Sequence, residues 1–127
     1  LGVEVFVFNK EALTSSLIVL NKLSSKRVDF IVLAGFLLKV PNSLIQTYAN
    51  RIVNLHPALL PKFGGRGMYG MRVHQAVLDA GESESGISIH YVNERYDEGS
   101  IVFQARCSVS NCDTAVDVDK KIQKLEW

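Results

Sequence analysis

The sequence predicts an α/β domain: a three-layer sandwich built around a mostly parallel, twisted sheet. Short apolar runs of strand type alternate along the chain with segments whose apolar residues recur at helical spacing. The most apolar run, residues 30–36, does not alternate with polar residues, which is typical of a parallel strand buried on both faces. The length of 127 residues suits one domain, 1–127, and no linker or internal repeat divides it.

The first half of the chain is predicted to begin with a β-rich strand that ends near Asn9. Leu13, Leu17 and Leu20 then recur at helical spacing, although the intervening Thr14-Ser15-Ser16 lowers helix propensity. Ser43 follows a proline and is expected to cap a short helix. In chain order these elements are strand 3–8, helix 10–25, strand 30–36 and helix 43–49.

The second half is predicted to open with a short central strand, which two prolines close. A glycine-rich loop follows, and the helix after it is stopped by Gly81. Thr114 begins a last helix, with an acidic residue in its first turn and lysines further along. In chain order these elements are strand 51–56, loop 62–70, helix 73–80, strands 87–92 and 101–107, and the helix from Thr114; the last two strands are expected to add an edge of mixed direction.

Composition and charge argue against several classes of protein. The formal net charge is +1, which argues against a nucleic-acid or membrane-surface binder. The longest apolar run, residues 30–38, is too short to cross a bilayer. The two cysteines suit reduced thiols in a cytoplasmic protein, and no signal peptide is visible. Since the sequence has no initiator Met and stops inside a helical pattern, it is expected to be a piece of a longer protein.

Asn54 and His56 are the most informative polar residues. They are two positions apart on a predicted strand, so they face the same way, at the carboxyl end where ligands bind in open α/β sheets. An amide beside an imidazole there can polarise a carbonyl and handle a proton. The alternative is that both side chains only cap local backbone.

Leu37, Leu38 and Val40 follow another strand and suit either an apolar pocket wall or simple core packing.

Asp97 lies in the loop between the last two predicted strands and can reach the same edge of the sheet. A carboxylate beside His56 would orient the ring and favour its protonated form. Ordinary turn chemistry is the alternative, because Gly99 follows two residues on.

Other motifs predict less. Residues 65–70 read G-x-G-x-x-G but follow a loop instead of a strand, so they are not interpreted as a dinucleotide site. We interpret them as a mobile active-site flap, and a plain flexible loop is the alternative. His74 is expected on a helix surface, and either face of the strand that carries His90 could border the cleft. The histidines lack metal-site spacing, so no metal is expected. Cys107 is expected to pack and not to act as a nucleophile.

These stretches together resemble the folate-dependent formyltransferases, over residues 28–126. The resemblance rests on V-D-F-I-V-L-A-G-F at residues 28–36, N-L-H-P-A-L-L-P at residues 54–61, and the later D-E-G at residues 97–99. The S-G-I-S-I-H-Y-V block at residues 85–92 and the glycine-rich loop favour the branch that formylates glycinamide ribonucleotide in purine biosynthesis. The resemblance implies the formyltransferase fold, which is Rossmann-like.

The resemblance also implies roles for single residues. Asn54 corresponds to the amide that binds the formyl oxygen, His56 to the catalytic histidine, Asp97 to its catalytic partner and His90 to a cleft histidine. Glu126 corresponds to the glutamate that contacts the ribonucleotide. The implied substrates are small molecules, glycinamide ribonucleotide and the co-substrate 10-formyltetrahydrofolate, with no metal, nucleic acid or membrane. The folate pocket would be lined by Leu37, Leu38, Val40, Ile87, Asn93 and Tyr96.

The sequence departs from the family pattern in two places. Ala58 stands where a serine usually follows His-Pro. The strand and glycine-rich loop with which the family begins, and which bind the substrate phosphate, are not found before Leu1. Two other functions stay open: a formyltransferase whose acceptor is methionyl-tRNA, and a non-catalytic remnant that binds folate.

Overall fold

A computed structural model describes residues 2–15 and 17–127 of the chain. Its sheet has four strands in the order β1-β2-β3-β4. β1 and β2 are parallel, whereas β3 runs antiparallel to both β2 and β4. The elements are α1 (Lys10–Thr14), α2 (Ile18–Ser25), β1 (Ile31–Ala34), α3 (Asn42–Thr47), β2 (Ile52–His56), α4 (Met71–Asp79), β3 (Glu84–Tyr91), β4 (Ile101–Ser108) and α5 (Ala115–Glu126).

The α/β prediction is confirmed, and so is the mixed direction of the last two strands. The prediction of a mostly parallel sheet fits loosely, because only one of the three strand pairs is parallel. An apolar pattern identifies a strand but not its direction, which depends on how the connections return to the sheet.

Two apolar cores lie on opposite faces of the sheet. One core joins Ile31 and Ile52 to residues of α2 and α3. The other joins Ile87 and the partly buried Leu55 to residues of α4 and α5. Ile52 and Leu55 are three positions apart on one strand, so their side chains point to opposite faces. The predicted sandwich of helix, sheet and helix layers follows from these two cores.

Four predictions for the first half differ from the structure. Residues 3–8 form no strand, and the side chain of Val5 is 81% exposed. The predicted helix 10–25 is two helices, α1 and α2, with a break in the run of low helix propensity; Ser16 lies outside the described residues. β1 is an edge strand with an exposed Val32, so it is not buried on both faces. The N-cap of α3 is Pro41, not Ser43.

The helices of the second half follow the predicted local signals. α4 is followed by Gly81, whose φ of 67° is a conformation that glycine adopts at little cost. α5 starts with a capping box: the Thr114 side chain accepts from the Asp117 backbone N–H, and the Asp117 carboxylate accepts from that of Thr114. Within the described ranges, no helix is long and apolar enough to cross a membrane.

Candidate active site

The sheet brings Asn54 and His56 together with two residues from a distant stretch of chain. Both lie at the carboxyl end of β2, on the same face, as predicted. Antiparallel pairing places His90 of β3 directly opposite Asn54. The loop from β3 to β4 then returns Asp97 to the same place, with its Oδ1 3.6 Å from His56 Nδ1 and 3.4 Å from His90 Nε2.

The His90 ring fixes the orientation of the Asn54 amide. His90 Nδ1 lies 3.0 Å from the backbone oxygen of Tyr91, which can only accept, so Nδ1 carries a proton. His90 Nε2 lies 3.1 Å from Asn54 Nδ2 and, in the neutral ring, accepts one of its two hydrogens. The second amide hydrogen is then free for an oxygen atom in the cleft.

The His56 ring is held by the backbone of the glycine-rich loop. His56 Nε2 donates to the backbone oxygen of Phe63 over 2.7 Å. This assigns the proton of the neutral ring to Nε2 and leaves Nδ1 as the nitrogen that faces Asp97. The 3.6 Å between Nδ1 and Asp97 Oδ1 is longer than a direct hydrogen bond.

The same loop holds Asp97. The backbone N–H of Gly65 donates to Asp97 Oδ2 over 2.9 Å. Gly64 lies between these two contacts, and a Cβ there would be 3.1 Å from the Cβ of Asp97. Glycine at position 64 therefore lets the loop approach the carboxylate closely, because a side chain there would crowd Asp97.

The electrostatics favour a neutral His56 beside an ionised Asp97. Burial lowers the pKa of His56, and the Asp97 charge and the Phe63 carbonyl only partly oppose this. Burial alone would raise the pKa of Asp97. The contact with His90, the hydrogen bond from the Gly65 N–H and the positive charge that either ring carries when protonated outweigh burial and lower that pKa. The protonated His56 expected from the sequence is thus disfavoured in the unliganded protein.

One cleft of about 680 Å³ joins most of the predicted site residues. Its floor holds the polar residues just described, and its apolar wall follows β1. Ile87 is the exception: it is 3% exposed and lies in the core beneath α4 and α5, on the face of the sheet opposite Asn54. The predicted residues that line the cleft are Leu37, Leu38, Val40, Asn54, His56, His90, Asn93, Tyr96, Asp97 and Glu126.

Sequence reasoning missed three contributors to the site. The Phe63 carbonyl and the Gly65 N–H act through backbone atoms, which residue types do not reveal; the run of glycines was the available signal of a close approach. His74 was expected on a helix surface but is 2% exposed, because α5 covers it, and it lines the cleft.

The described residues offer no metal site, since they contain no group of three or more His, Cys, Asp and Glu side chains able to hold an ion. Cys107 is half-buried on β4, and burial raises the pKa of its thiol, which disfavours the thiolate. The amide of Asn54, the imidazoles of His56 and His90 and the carboxylate of Asp97, which meet in the cleft, are suited to hydrogen bonding and proton transfer.

Comparison with known proteins points to one family. Residues 4–127 match the sequence model of the family described as formyl transferase. The chain is 44% identical to the chloroplastic phosphoribosylglycinamide formyltransferase of Arabidopsis thaliana, an alignment that covers 95% of this chain and 43% of the relative. It is 37% identical to phosphoribosylglycinamide formyltransferase of Haemophilus influenzae, with 83% of this chain and 47% of the relative covered.

The fold is similar to that of a solved structure that has the same name as these two relatives. The crystal structure of phosphoribosylglycinamide formyltransferase from Bacillus halodurans superposes with a TM-score of 0.75 at 38% identity. The match covers 85% of this chain and 53% of the solved chain. The chain thus spans less than half the length of the two curated relatives and about half of the solved structure.

Proposed function

Because the chain belongs to the formyl transferase family, we propose that it carries the transfer centre of an enzyme that moves a formyl group from 10-formyltetrahydrofolate to the amine of glycinamide ribonucleotide. The observation that carries this proposal is the meeting of Asn54, His56 and Asp97 in one cleft. The activity is proposed for the whole protein that contains this chain. A cytoplasmic location also stays a prediction, since the Arabidopsis relative is named as chloroplastic.

In the first step, the amine attacks the formyl carbon and a tetrahedral intermediate with a negative oxygen forms. The free amide hydrogen of Asn54 donates to that oxygen. Such a donor contributes about 3 kcal/mol of transition-state stabilisation. The hydrogen bond is stronger here than it would be in water because the site is partly enclosed. His90 supports this role by holding the amide in the required orientation.

His56 works through Nδ1, since Nε2 is occupied by the Phe63 carbonyl. The ring starts neutral, and the negative oxygen that develops beside Nδ1 raises its affinity for a proton. His56 then takes a proton released by the attacking amine and donates a hydrogen bond to the oxyanion. Asp97 relays this proton towards N10 of the folate, directly or through water. Breaking the bond from carbon to N10 completes the transfer and releases tetrahydrofolate.

The walls of the cleft suit the two substrates. Leu37, Leu38 and Val40 supply an apolar wall for the flat ring of the folate, and Asn93 and Tyr96 bound its polar edge. Glu126 is exposed and lines the cleft, where its carboxylate can accept hydrogen bonds from ribose hydroxyls.

The test is an acceptor comparison in the whole protein, with 10-formyltetrahydrofolate as the donor and glycinamide ribonucleotide or methionyl-tRNA as the acceptor. We expect formylated ribonucleotide and no formylated tRNA, since the relatives from Arabidopsis and Haemophilus are named as phosphoribosylglycinamide formyltransferases. Faster formylation of tRNA would overturn the proposed acceptor. Folate binding measured by calorimetry, without transfer to either acceptor, would support a non-catalytic binding protein instead.

A further inference from the structure

A polar contact joins α4 to α5 beside the cleft. His74 Nε2 of α4 lies 3.2 Å from Asp119 Oδ1 of α5. A carboxylate only accepts, so Nε2 carries the proton and donates to it. The other oxygen of Asp119 accepts from Gln123 Nε2 over 2.8 Å, which holds the carboxylate in place for His74.

Burial of a histidine ring at position 74 costs folding free energy. The side chain is 2% exposed, and its neighbours on α4, Val73 and Val77, are fully buried. Within the described residues, His74 Nδ1 has no hydrogen-bond partner. A buried polar ring with one unsatisfied nitrogen is less stabilising than an apolar side chain of similar volume. Stability alone therefore does not explain this residue.

The two helices joined by this contact both contribute residues to the lining of the cleft. α4 directly follows the glycine-rich loop, whose Phe63 carbonyl and Gly65 N–H hold His56 and Asp97. α5 carries Glu126, seven residues after Asp119 and hence two turns further along nearly the same face. His74 and Asp119 line the cleft together with Glu126.

We propose that His74 is a positioning residue: its hydrogen bond to Asp119 fixes α4 against α5 and so sets the distance between the transfer centre and the ribonucleotide end of the cleft. Only the expected change in the KM for glycinamide ribonucleotide rests on the proposed function. The contact acts in the unliganded protein as well, because it holds the helix that follows the glycine-rich loop.

Apolar packing also joins the helices, through Val77 of α4 and Val118 and Ile122 of α5. That packing is not directional, whereas a hydrogen bond fixes one register. Two variants separate these contributions. His74→Gln keeps an N–H near the position of Nε2 and can still reach Asp119, whereas the shorter His74→Asn places its amide near Nδ1 and cannot. Gln75→Ala, at the adjacent exposed position, is the matched control.

The kinetic test measures kcat and the KM for each substrate in the whole protein. For His74→Asn we expect the KM for glycinamide ribonucleotide to rise about tenfold, in line with the loss of a hydrogen bond to a charged group, with the folate KM little changed. His74→Gln should stay within about twofold of the unmodified protein, since it restores that bond. Equal behaviour of the Asn and Gln variants, or an Asn variant that behaves like the control, would overturn the inference.

A second readout does not depend on activity. Trypsin cleavage after the exposed Arg66 reports how firmly the glycine-rich loop is held in the unliganded protein. We expect faster cleavage for His74→Asn and for Asp119→Ala, but not for His74→Gln or Gln75→Ala. Asp119→Ala removes the same bond from the more exposed partner and provides the test if His74→Asn does not fold.

The two readouts keep the proposals separate. Absence of formyl transfer, with the predicted order of cleavage rates, would overturn the proposed function and support the contact between the helices. Normal transfer with equal cleavage rates in all four variants would overturn the inference alone.

Discussion

Substituting Gly64 with alanine should disable the cleft without removing any side chain from it. A Cβ built at this position would lie 2.5 Å from Leu60 Cδ2 and 3.1 Å from the Cβ of Asp97. Carbon atoms prefer separations of about 3.5–4.0 Å, so both contacts are too close. The Leu60 methyl group can rotate away, but Asp97 can yield only by moving with its backbone.

The expected displacement follows from these distances. Rotation of the Leu60 methyl group relieves the first contact, and relief of the contact with the Asp97 Cβ, at 3.1 Å, requires the loop to withdraw by roughly 0.4–0.9 Å. Withdrawal lengthens the 2.9 Å bond from Gly65 to Asp97 and the 2.7 Å bond from His56 to Phe63. Overpacking of this kind costs about 1–3 kcal/mol of folding free energy. A misplacement of about 1 Å at a reacting centre reduces the rate about a hundredfold.

The assay compares Gly64→Ala with Gly81→Ala in formyl transfer and in urea unfolding. Gly81 adopts a φ of 67° after α4 and has open space around it, so its alanine variant is strained but touches nothing in the cleft. We expect both variants to lose stability and only Gly64→Ala to lose about a hundredfold in kcat. A Gly64→Ala protein with kcat within about twofold of the unmodified protein would refute this account of the loop.

Three further predictions concern stability. The free energy of unfolding should fall as the pH drops below 6.5: the unfolded chain takes up protons at His56 and His74 there, whereas burial lowers the pKa of both in the folded protein. The slope should reach at most about 1.4 kcal/mol per pH unit for each proton, measured by urea unfolding from pH 7.5 to 5, and a flat profile would contradict it. Ser88→Ala should cost about 2–3 kcal/mol, because the buried hydroxyl bonds two backbone groups and the Gln104 amide; a loss below about 0.5 kcal/mol in urea unfolding would count against this. Ile87→Ala should cost about 2–5 kcal/mol through a core cavity while the folate KM stays unchanged; a raised KM without loss of stability would return Ile87 to the folate pocket.

The parts of the fold that follow local chemistry were predictable. β2 and α4 came within two residues of their predicted bounds, because prolines, Gly81 and a clear apolar period mark them. Thr114 was recognised as the start of α5 from its own capping chemistry. In contrast, residues 3–8 have strand composition but no strand partner in the structure, and composition alone does not create one.

The parts of the site that depend on tertiary packing were not predictable. The alternation of two sets of side chains along β3 was clear from the sequence, but no local signal shows which face of the strand meets the cleft. In the structure Ser88 and His90 lie on the same face of the sheet as Asn54, whereas Ile87 lies on the opposite face. His74 looked like a surface residue because its burial is created by a helix more than forty positions later in the chain. The contacts from Phe63 and Gly65 use backbone atoms, which any residue type would supply.

The turnover number of the whole protein with His56→Ala and with Asp97→Asn tests the central claim most directly. Donor and acceptor are 10-formyltetrahydrofolate and glycinamide ribonucleotide, and Asp79→Asn, at an exposed position on α4, is the control. Both site variants should lose about two to four orders of magnitude in kcat, since each removes a proton-transfer group, and the control should lose none. Near-normal turnover in both site variants would show that the imidazole and the carboxylate do not perform the transfer.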